Sequence, residues 1–489
     1  MRTSQSHPLQ ISIVKPGKDT GRIGITFCPG KVQPGAMFGS WNRDLGLDLD
    51  AIADWGAVAV VTLVEEHELT TLKVPDMGNQ IRARHMDWFH LPIPDVSVPD
   101  ATFEQHWESV APDLMSRLRA GFDVLVHCKG GLGRAGTIAA RLMIGMGVPP
   151  AQAVKAVRAV RPGAIETNAQ LQHVMAQKQM PEPEPDTSAA ALRDRAIGAL
   201  LGLAVGDAVG TTLEFKTRDT YPVLTDMIGG GPFGLKPGQW TDDTAMALAL
   251  ADSLAKAPAL DEKDLMQRFV DWHARGTYSC TGHCFDIGIT TRQALAHWQK
   301  TGDPFAGSTD PMSAGNGSLM RLAPVAIRHF DNRAMLRDIA ARQSRTTHAA
   351  PEAVDACVAY AEVLADAIAG AKRSEVLRHH NEGYAGKFSP IMAGSWRGKA
   401  RSDIRASGYV AHALEASLWS VARTGGYRGA VLLAANLGED ADTTGAITGQ
   451  LAGALYGASG IPTNWLEKLA WRDRLTKAAG TLLGRFPAA

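Results

Sequence analysis

The sequence has little of what marks a secreted, membrane-spanning or nucleic-acid-binding chain. Its 489 residues include only five cysteines. That odd, sparse count excludes a disulfide-built scaffold and makes a reducing cytoplasm the expected compartment. Excess charge is missing too, with 50 Lys+Arg against 50 Asp+Glu and a formal total of +0. A chain without a global field has no footprint for general nucleic-acid binding or for an anionic membrane. No apolar run reaches the ~20 residues of a spanning helix, because Asp207 interrupts the best stretch, Ala196–Val209. The opening MRTSQSHPLQ lacks an apolar core, so no signal peptide is expected, and roughly the first eight residues read as disordered. Aromatics are sparse at 6%, whereas glycines number 50, a balance that favours closely packed helices and tight turns.

What is present divides in two. The segment QMPEPEPDTSAA, Gln179–Ala190, alternates proline with acidic residues and suits neither a helix nor a central strand. It reads as a short, stiff, extended linker between domains at 1–178 and 191–489. In the first domain, Ala57–Val64 and Phe122–His127 are continuous apolar runs, as in strands buried on both faces. Helices are predicted over Asp100–Ala120 and Ala135–Ile144, and the alternation implies an open α/β sheet. In the second domain, Ile197, Leu200, Leu201, Ala204, Val205 and Ala208 keep helical spacing. Further helices are predicted at Thr244–Lys256, Lys263–Trp272, Ala349–Ile368, Gly408–Arg423 and Thr443–Tyr456. No strand pair is evident there, so the domain reads as all-α. Gly445, Gly449, Gly453 and Gly457 recur every four residues, which implies close helix–helix packing along one face.

The first chemical signal lies at a strand-to-helix junction: His127, Cys128, Lys129, Gly130, Gly131, Leu132, Gly133, Arg134. The glycines let successive backbone N–H groups curl around an anion. The following helix adds its positive end, and Arg134 can clamp two phosphate oxygens. The same field favours a thiolate at Cys128, a nucleophile for phosphoryl transfer. This H-C-x5-R spacing resembles the signature of cysteine-dependent phosphatases, and Ile23 to about Met175 resembles their dual-specificity, kinase-associated branch. The resemblance implies a phosphocysteine on Cys128, phosphoryl binding by Arg134 and help from His127 in lowering the cysteine pKa. It places the general acid at Asp95, with Asp100 second because Asp100 also suits a helix N-cap. One departure stands out. The family has Ser or Thr after the arginine to help the thiolate leave; here Ala135 stands there, with Thr137 two residues on. Slow turnover, or phosphate binding without turnover, follows as an alternative. Lys129 hints at a more anionic substrate, although a solvated loop lysine reads equally well.

The second signal is a pair of acidic segments 200 residues apart. Thr241, Asp242 and Asp243 head one apolar helix; Asp440, Asp442 and Thr443 head another. Each alone could be a helix cap. Together, four aspartates in one space need cations, and oxygen-only donors favour a hard ion: Mg²⁺, or else Mn²⁺ or Ca²⁺. Four motifs surround them: Gly198–Gly210, Gln239–Thr244, Gly315–Arg321 and Asn436–Gly445. They resemble ADP-ribosylglycohydrolases, with a likeness to the bacterial dinitrogenase reductase-activating type, over about Arg193 to Leu483. The resemblance implies an all-helical fold and two Mg²⁺ ions held by Thr241, Asp242, Asp243, Asp440, Asp442 and Thr443, with Mn²⁺ as a substitute. It also implies a glutamate near the scissile bond, Glu214, seven residues after Asp207. The loop Gly315, Asn316, Gly317, Ser318 would bring N–H groups to the diphosphate of ADP-ribose. Cys280 and Cys284 have poor zinc spacing and read as part of a substrate-side loop, and His348 as a structural histidine.

The expectation is therefore a multidomain chain: an α/β cysteine-phosphatase domain followed by an all-α ADP-ribosylglycohydrolase domain. Its partners would be a phosphorylated substrate and an ADP-ribosylated protein or ADP-ribose derivative, with an arginine acceptor favoured. Both marks could lie on one molecule. The rival reading is a glycohydrolase carrying a non-catalytic phosphate-binding module.

Overall fold

The computed structural model describes residues 1–35, 39–378 and 388–484. The chain divides into two compact units: Met1–Pro183 with Arg423–Gly425, and Glu184–Ala422 with Gly426–Ala489.

The first unit is built on a five-stranded sheet. The strands are β1 Ser12–Val14, β2 Ile23–Phe27, β5 Ala57–Thr62, β6 Asp87–His90 and β7 Asp123–Cys128, with β3 Val32–Gln33 and β4 Trp41–Asn42 forming a separate ribbon. The order is β1-β2-β7-β5-β6, with β1 antiparallel to β2 and every other pair parallel. The apolar runs that announce β5 and β7 are buried along nearly their whole length, because helices cover a parallel sheet. The cover includes Leu45–Trp55, Ala101–Arg119, Gly133–Gly145 and Pro150–Val160. One core cluster gathers Leu49, Ile52, Val60, Leu69, Ile81 and Leu125. Phe27 pairs with Cys128, and Thr62 with His127, so three parallel strands deliver their carboxyl ends to one edge. Ligands of open α/β sheets bind at that edge.

The first eight residues depart from the disordered reading. The Arg43 guanidinium donates to the carbonyls of Thr3 and His7 while its other nitrogens grip the buried Asp48. Ser4 is buried and exchanges hydrogen bonds with Asp44. A buried ion pair with donors to spare thus ties down a segment that has no apolar pattern of its own.

The second unit is helical. Among its described residues, β contacts are limited to isolated bridges such as Gly230 to Leu235 and Gly315 to Tyr409. Its long helix Ala189–Gly210 and the helix Ala441–Tyr456 run antiparallel with their backbones in contact. A Cβ at Gly198, Gly202 or Gly206 would lie 2.3, 2.2 or 2.1 Å from the carbonyl oxygen of Gly453, Gly449 or Gly445, respectively. The glycine row read in the second helix therefore meets a matching row in the first. With its continuation to Leu213, the first helix is long and apolar enough to cross a membrane by length and composition, contrary to the sequence reading; one aspartate does not offset the rest. It is apolar all round because protein surrounds it, with 89% of the apolar window buried.

Candidate active sites

In the first unit the loop 128–133 leaves β7 and enters the helix Gly133–Gly145. Gly131 has φ of 70°, and a Cβ there would strike the Thr26 and Phe27 backbone at 2.6 Å, so only glycine fits. Its N–H points inward and donates to Cys128 Sγ at 3.2 Å. Cations hold the loop's carbonyls from outside. Lys31 Nζ donates to Lys129 O at 3.0 Å, and Arg161 donates to Gly131 O at 3.0 Å and Gly130 O at 3.2 Å. A planar peptide whose oxygen is drawn outward turns the next N–H inward. The Gly133 N–H is held by Glu166 at 2.7 Å. The Lys129 side chain is half-exposed, and Gly130 is exposed with open space about its Cα.

Arg134 is buried beneath this loop. Its Nη1 and Nη2 donate to the two Glu68 oxygens at 2.5 and 3.1 Å, Nη1 also donates to Ile93 O, and Nη2 lies 2.9 Å from Asp95 Oδ1. Glu68 was not recognised from sequence. Burial raises its carboxyl pKa, but hydrogen bonds from Arg134 and the Glu65 N–H outweigh this and hold it below its usual value. Asp95 is half-exposed at the arginine, whereas Asp100 caps its helix by accepting the Phe103 N–H at 2.8 Å. His127 is fully buried, its Nε2 shares a hydrogen bond with Thr62 Oγ1, and burial pushes its pKa down to about 3. The bond ties the end of β7 to that of β5. Ala135 is fully buried, and the Thr137 hydroxyl donates back to Gly133 O at 2.8 Å, so that hydroxyl is committed to its own helix.

In the second unit the two acidic helix heads come together. Thr241 Oγ1 lies 3.3 Å from Asp243 Oδ2 and 3.2 Å from Asp442 Oδ2, across 201 residues of sequence. Asp207 organises this cluster. Its Oδ1 accepts the N–H and hydroxyl of Thr241, and its Oδ2 accepts those of Thr244, at 2.6 to 3.0 Å. Sequence reasoning used Asp207 only as a landmark. The available signal was a single carboxylate inside a buried apolar run, which has to be paired. Glu214 Oε2 accepts the N–H groups of Ala441 and Asp442 at 2.7 and 3.2 Å, pinning it to the head of the Ala441–Tyr456 helix. Asn316 Nδ2 donates to Asp440 Oδ2 at 2.6 Å.

These groups open into a cavity of about 660 Å³ lined in part by Glu214, Asp242, Gly315, Asn316, Asp440, Asp442 and Thr443. Thr241 and Asp243 lie behind this lining. Asp286, unassigned from sequence, also faces the cavity; burial, then repulsion from Asp442 and Asp242, pushes its carboxyl up to about 11. Ser318 does not face it. Its hydroxyl is buried against Ser344 Oγ at 2.8 Å, so the loop lines the cavity with Gly315, Asn316 and Gly317; of their N–H groups, that of Gly315 already donates to Ser313 O at 2.7 Å and that of Asn316 to Gly408 O at 3.0 Å. A Cβ at Gly317 would meet the His348 ring at 2.7 Å; His348 thus shapes the loop from the cavity wall, and burial lowers its pKa to about 3. Cys280 is turned to the Trp240 carbonyl, 3.6 Å away.

The cluster is electrostatically incomplete by itself. Burial and mutual repulsion raise the Asp242 and Asp243 carboxyls well above their usual range, and Asp243 Oδ1 is buried with no hydrogen-bond partner. Two overlapping groups, Asp207-Asp243-Asp442 and Glu214-Asp440-Asp442, bring carboxylate oxygens within 4.8 Å of one another. An all-oxygen donor set with an orphaned buried acceptor fits hard divalent cations.

Comparison with known proteins divides the chain in the same way. Residues 188–489 match the model of the ADP-ribosylglycohydrolase family, and residues 28–174 match that of a Swiss Army Knife protein, DSP-PTPase phosphatase domain. The chain is 48% identical over 296 residues to the ADP-ribosylarginine hydrolase Tri1 of Pseudomonas putida, covering 60% of this chain and 79% of that one. It resembles the solved structure of an ADP-ribosylglycohydrolase-related protein complex at 40% identity and a TM-score of 0.54, covering 60% of this chain and 98% of that chain. The first unit is 31% identical over 137 residues to the cyclin-dependent kinase inhibitor 3 of Rattus norvegicus, 27% of this chain and 63% of that protein.

Proposed function

Because the chain belongs to the ADP-ribosylglycohydrolase family and carries a dual-specificity phosphatase domain ahead of that region, we propose a bifunctional hydrolase. The second unit cleaves the bond between the ribose C1 of ADP-ribose and an arginine side chain. The first unit hydrolyses a phosphomonoester through a phosphocysteine. The observation that carries the first assignment is the convergence of Thr241 and Asp442 at 3.2 Å beneath a cavity whose wall includes Glu214. The arginine acceptor is supported by the likeness to an ADP-ribosylarginine hydrolase.

Thr241, Asp242, Asp243, Asp440, Asp442 and Thr443 would hold two Mg²⁺ ions, with Mn²⁺ as a substitute; bound there, the ions supply Lewis acidity at the distal ribose hydroxyls. The chain's own residues do the rest. Asp207 fixes Thr241 and Thr244. Glu214, anchored through Oε2 at the helix head, orients water against C1 of the ribose. The Gly317 N–H receives the diphosphate, since those of Gly315 and Asn316 already donate to Ser313 O and Gly408 O. Release of ADP-ribose from an ADP-ribosylarginine peptide in Mg²⁺ tests the assignment. Asp243→Asn is expected to lower kcat by about 10³-fold or more, as loss of a group aimed at transition-state charge does; activity near that of the native chain would refute it.

In the first unit, Cys128 attacks phosphorus and the phosphoryl oxygens lie on the loop N–H groups and Arg134. Asp95 protonates the leaving oxygen, and water then frees phosphate from Cys128. The geometry of Thr137 supports a second reading, a phosphate-binding module without turnover, because no free hydroxyl replaces the one missing at Ala135. Rapid-quench measurement with an aryl phosphate separates the two. Steady multiple turnover supports the enzyme, whereas a single burst with trapped phosphocysteine supports the module. In the latter case Ala135→Ser is expected to restore turnover.

A further inference from the structure

The lip of the carboxylate cavity beside Glu214 carries two residues that the assigned chemistry does not use. Phe215 and Glu439 both have φ of 60°, a left-handed conformation that is strained for side chains of this size. They face each other across a two-bond clasp: the Phe215 N–H donates to Glu439 O, and the Glu439 N–H donates to Lys216 O, both at 2.8 Å. The clasp holds both side chains outward at the cavity wall, with Phe215 67% exposed and Glu439 exposed. The edge of one aromatic ring supports the other, Phe233 lying 6.3 Å from Phe215 at 74°. Glu439 takes part in no salt bridge among the described residues. Arg218, whose charge feels it, spends its guanidinium on the carbonyls of Leu437, Arg401 and Ile404. A large apolar ring in solvent and two strained backbones each cost stability.

An aromatic face beside a carboxylate is a receptor for a planar cation. Guanidinium stacks on the one and hydrogen-bonds to the other. The position narrows the choice of ligand. On the reading above Glu214 stands at the scissile bond, and the Gly317 N–H at the diphosphate. The acceptor leaves from C1, the atom assigned to Glu214, and so meets its chain neighbour Phe215 and, across the clasp, Glu439. We propose that Phe215 and Glu439 form the subsite for the guanidinium of the acceptor arginine, an inference that rests on the glycohydrolase reading above. Both act on binding and specificity; neither touches the bond that breaks.

The test uses the full chain with Mg²⁺ and two probes, ADP-ribose and agmatine, a small guanidinium compound. Calorimetry gives the affinity of agmatine for the protein saturated with ADP-ribose, in the native chain and in Glu439→Gln and Phe215→Leu. Agmatine is expected to bind the native complex and to bind each variant at least about tenfold more weakly, as loss of a charge-assisted contact implies. ADP-ribose affinity should stay within about twofold. Cleavage of an ADP-ribosylarginine peptide should lose through KM rather than kcat. Glu439→Gln keeps the backbone clasp, so it reports even if Phe215→Leu folds poorly. Undetectable agmatine binding to the native complex, or equal affinity in both variants, overturns the subsite. A parallel loss of ADP-ribose affinity overturns it as well and assigns the ring to the adenine side. If agmatine binds as expected while no ADP-ribosylarginine is cleaved, the activity falls and the guanidinium subsite stands.

Discussion

Arg134 is oriented before any phosphate arrives. Glu68 grips both terminal nitrogens from a helix of six residues, Glu66–Thr71, and Asp95 touches the same guanidinium from another loop. A free arginine would surrender side-chain entropy on binding; this one has already done so. Glu68→Gln is therefore expected to weaken binding of inorganic phosphate and to lower kcat/KM for an aryl phosphate about tenfold to a hundredfold, the span of a charge-assisted hydrogen bond. Competition by phosphate against turnover measures it, and an unchanged inhibition constant would remove Glu68 from the site. The legibility of the site follows sequence distance. Cys128, the glycines and Arg134 fall within seven residues, so one loop displays their chemistry. The Glu68 to Arg134 contact spans 66 residues, and nothing in a run of Glu65, Glu66 and Glu68 singles out the last. Asp207 was readable as an oddity but not as an organiser, because Thr241 and Thr244 reach it only through the fold. The Ser318 side chain, turned to Ser344, marks a limit of another kind. A loop pattern tells which residues share a turn, not which of them points away.

At the scale of elements, the paired helices Ala189–Gly210 and Ala441–Tyr456 decide how close the carboxylates come. Reciprocal glycines put carbonyl oxygens where Cβ atoms would stand. Asp207 rides near the end of one helix, and Asp442 and Thr443 near the start of the other. Gly449→Ala would place a methyl 2.0 Å from Gly202 O, against backbone that cannot step aside. It is expected to cost at least about 2 kcal/mol, the upper part of the range for overpacking, and to weaken Mg²⁺ binding with it. Denaturant unfolding with and without Mg²⁺ would show both effects or neither. The same heads make the metal-free fold sensitive to pH. Burial, then repulsion from Asp442, pushes Asp207 and Asp440 each up to about 7. Unfolded aspartates titrate near ~4, so between about pH 4 and 7 the folded chain holds protons that the unfolded chain has released. Stability in chelator should thus fall as pH rises through that window, and Mg²⁺ should restore more of it at pH 8 than at pH 5. Thermal scans decide this, and a flat profile would contradict the crowding of these acids. Long helices and the buried strands were legible as elements because their periods are strong. The partner of the glycine row was not, since a spacing of four marks a face without naming what meets it. The ordered start of the chain escaped for a related reason: its anchor, Arg43, lies far along the sequence.

At the scale of the whole molecule, the two proposed chemistries have different requirements. As proposed, the loop 128–134 would need a thiol and no metal, and the carboxylate cavity would need no thiol. Chelation is expected to abolish release of ADP-ribose and to leave any release of phosphate intact, whereas Cys128→Ser should do the reverse. Paired assays on one preparation check this, and a crossed effect would mean that the sites depend on each other. A compound carrying both a phosphate and an ADP-ribose group, compared with singly marked ones, then tests whether fusion serves a common substrate. The glycine helices have a last consequence, for folding. A ladder of equal rungs can mesh in more than one way: sliding by one rung, four residues or about 6 Å, still sets glycine against glycine. Such a slip would part Thr241 from Asp442, and Glu214 from the head of the opposite helix. The residues assigned to the reaction therefore also serve as the index mark that selects one alignment, and changes there can cost the chain its register as well as its chemistry.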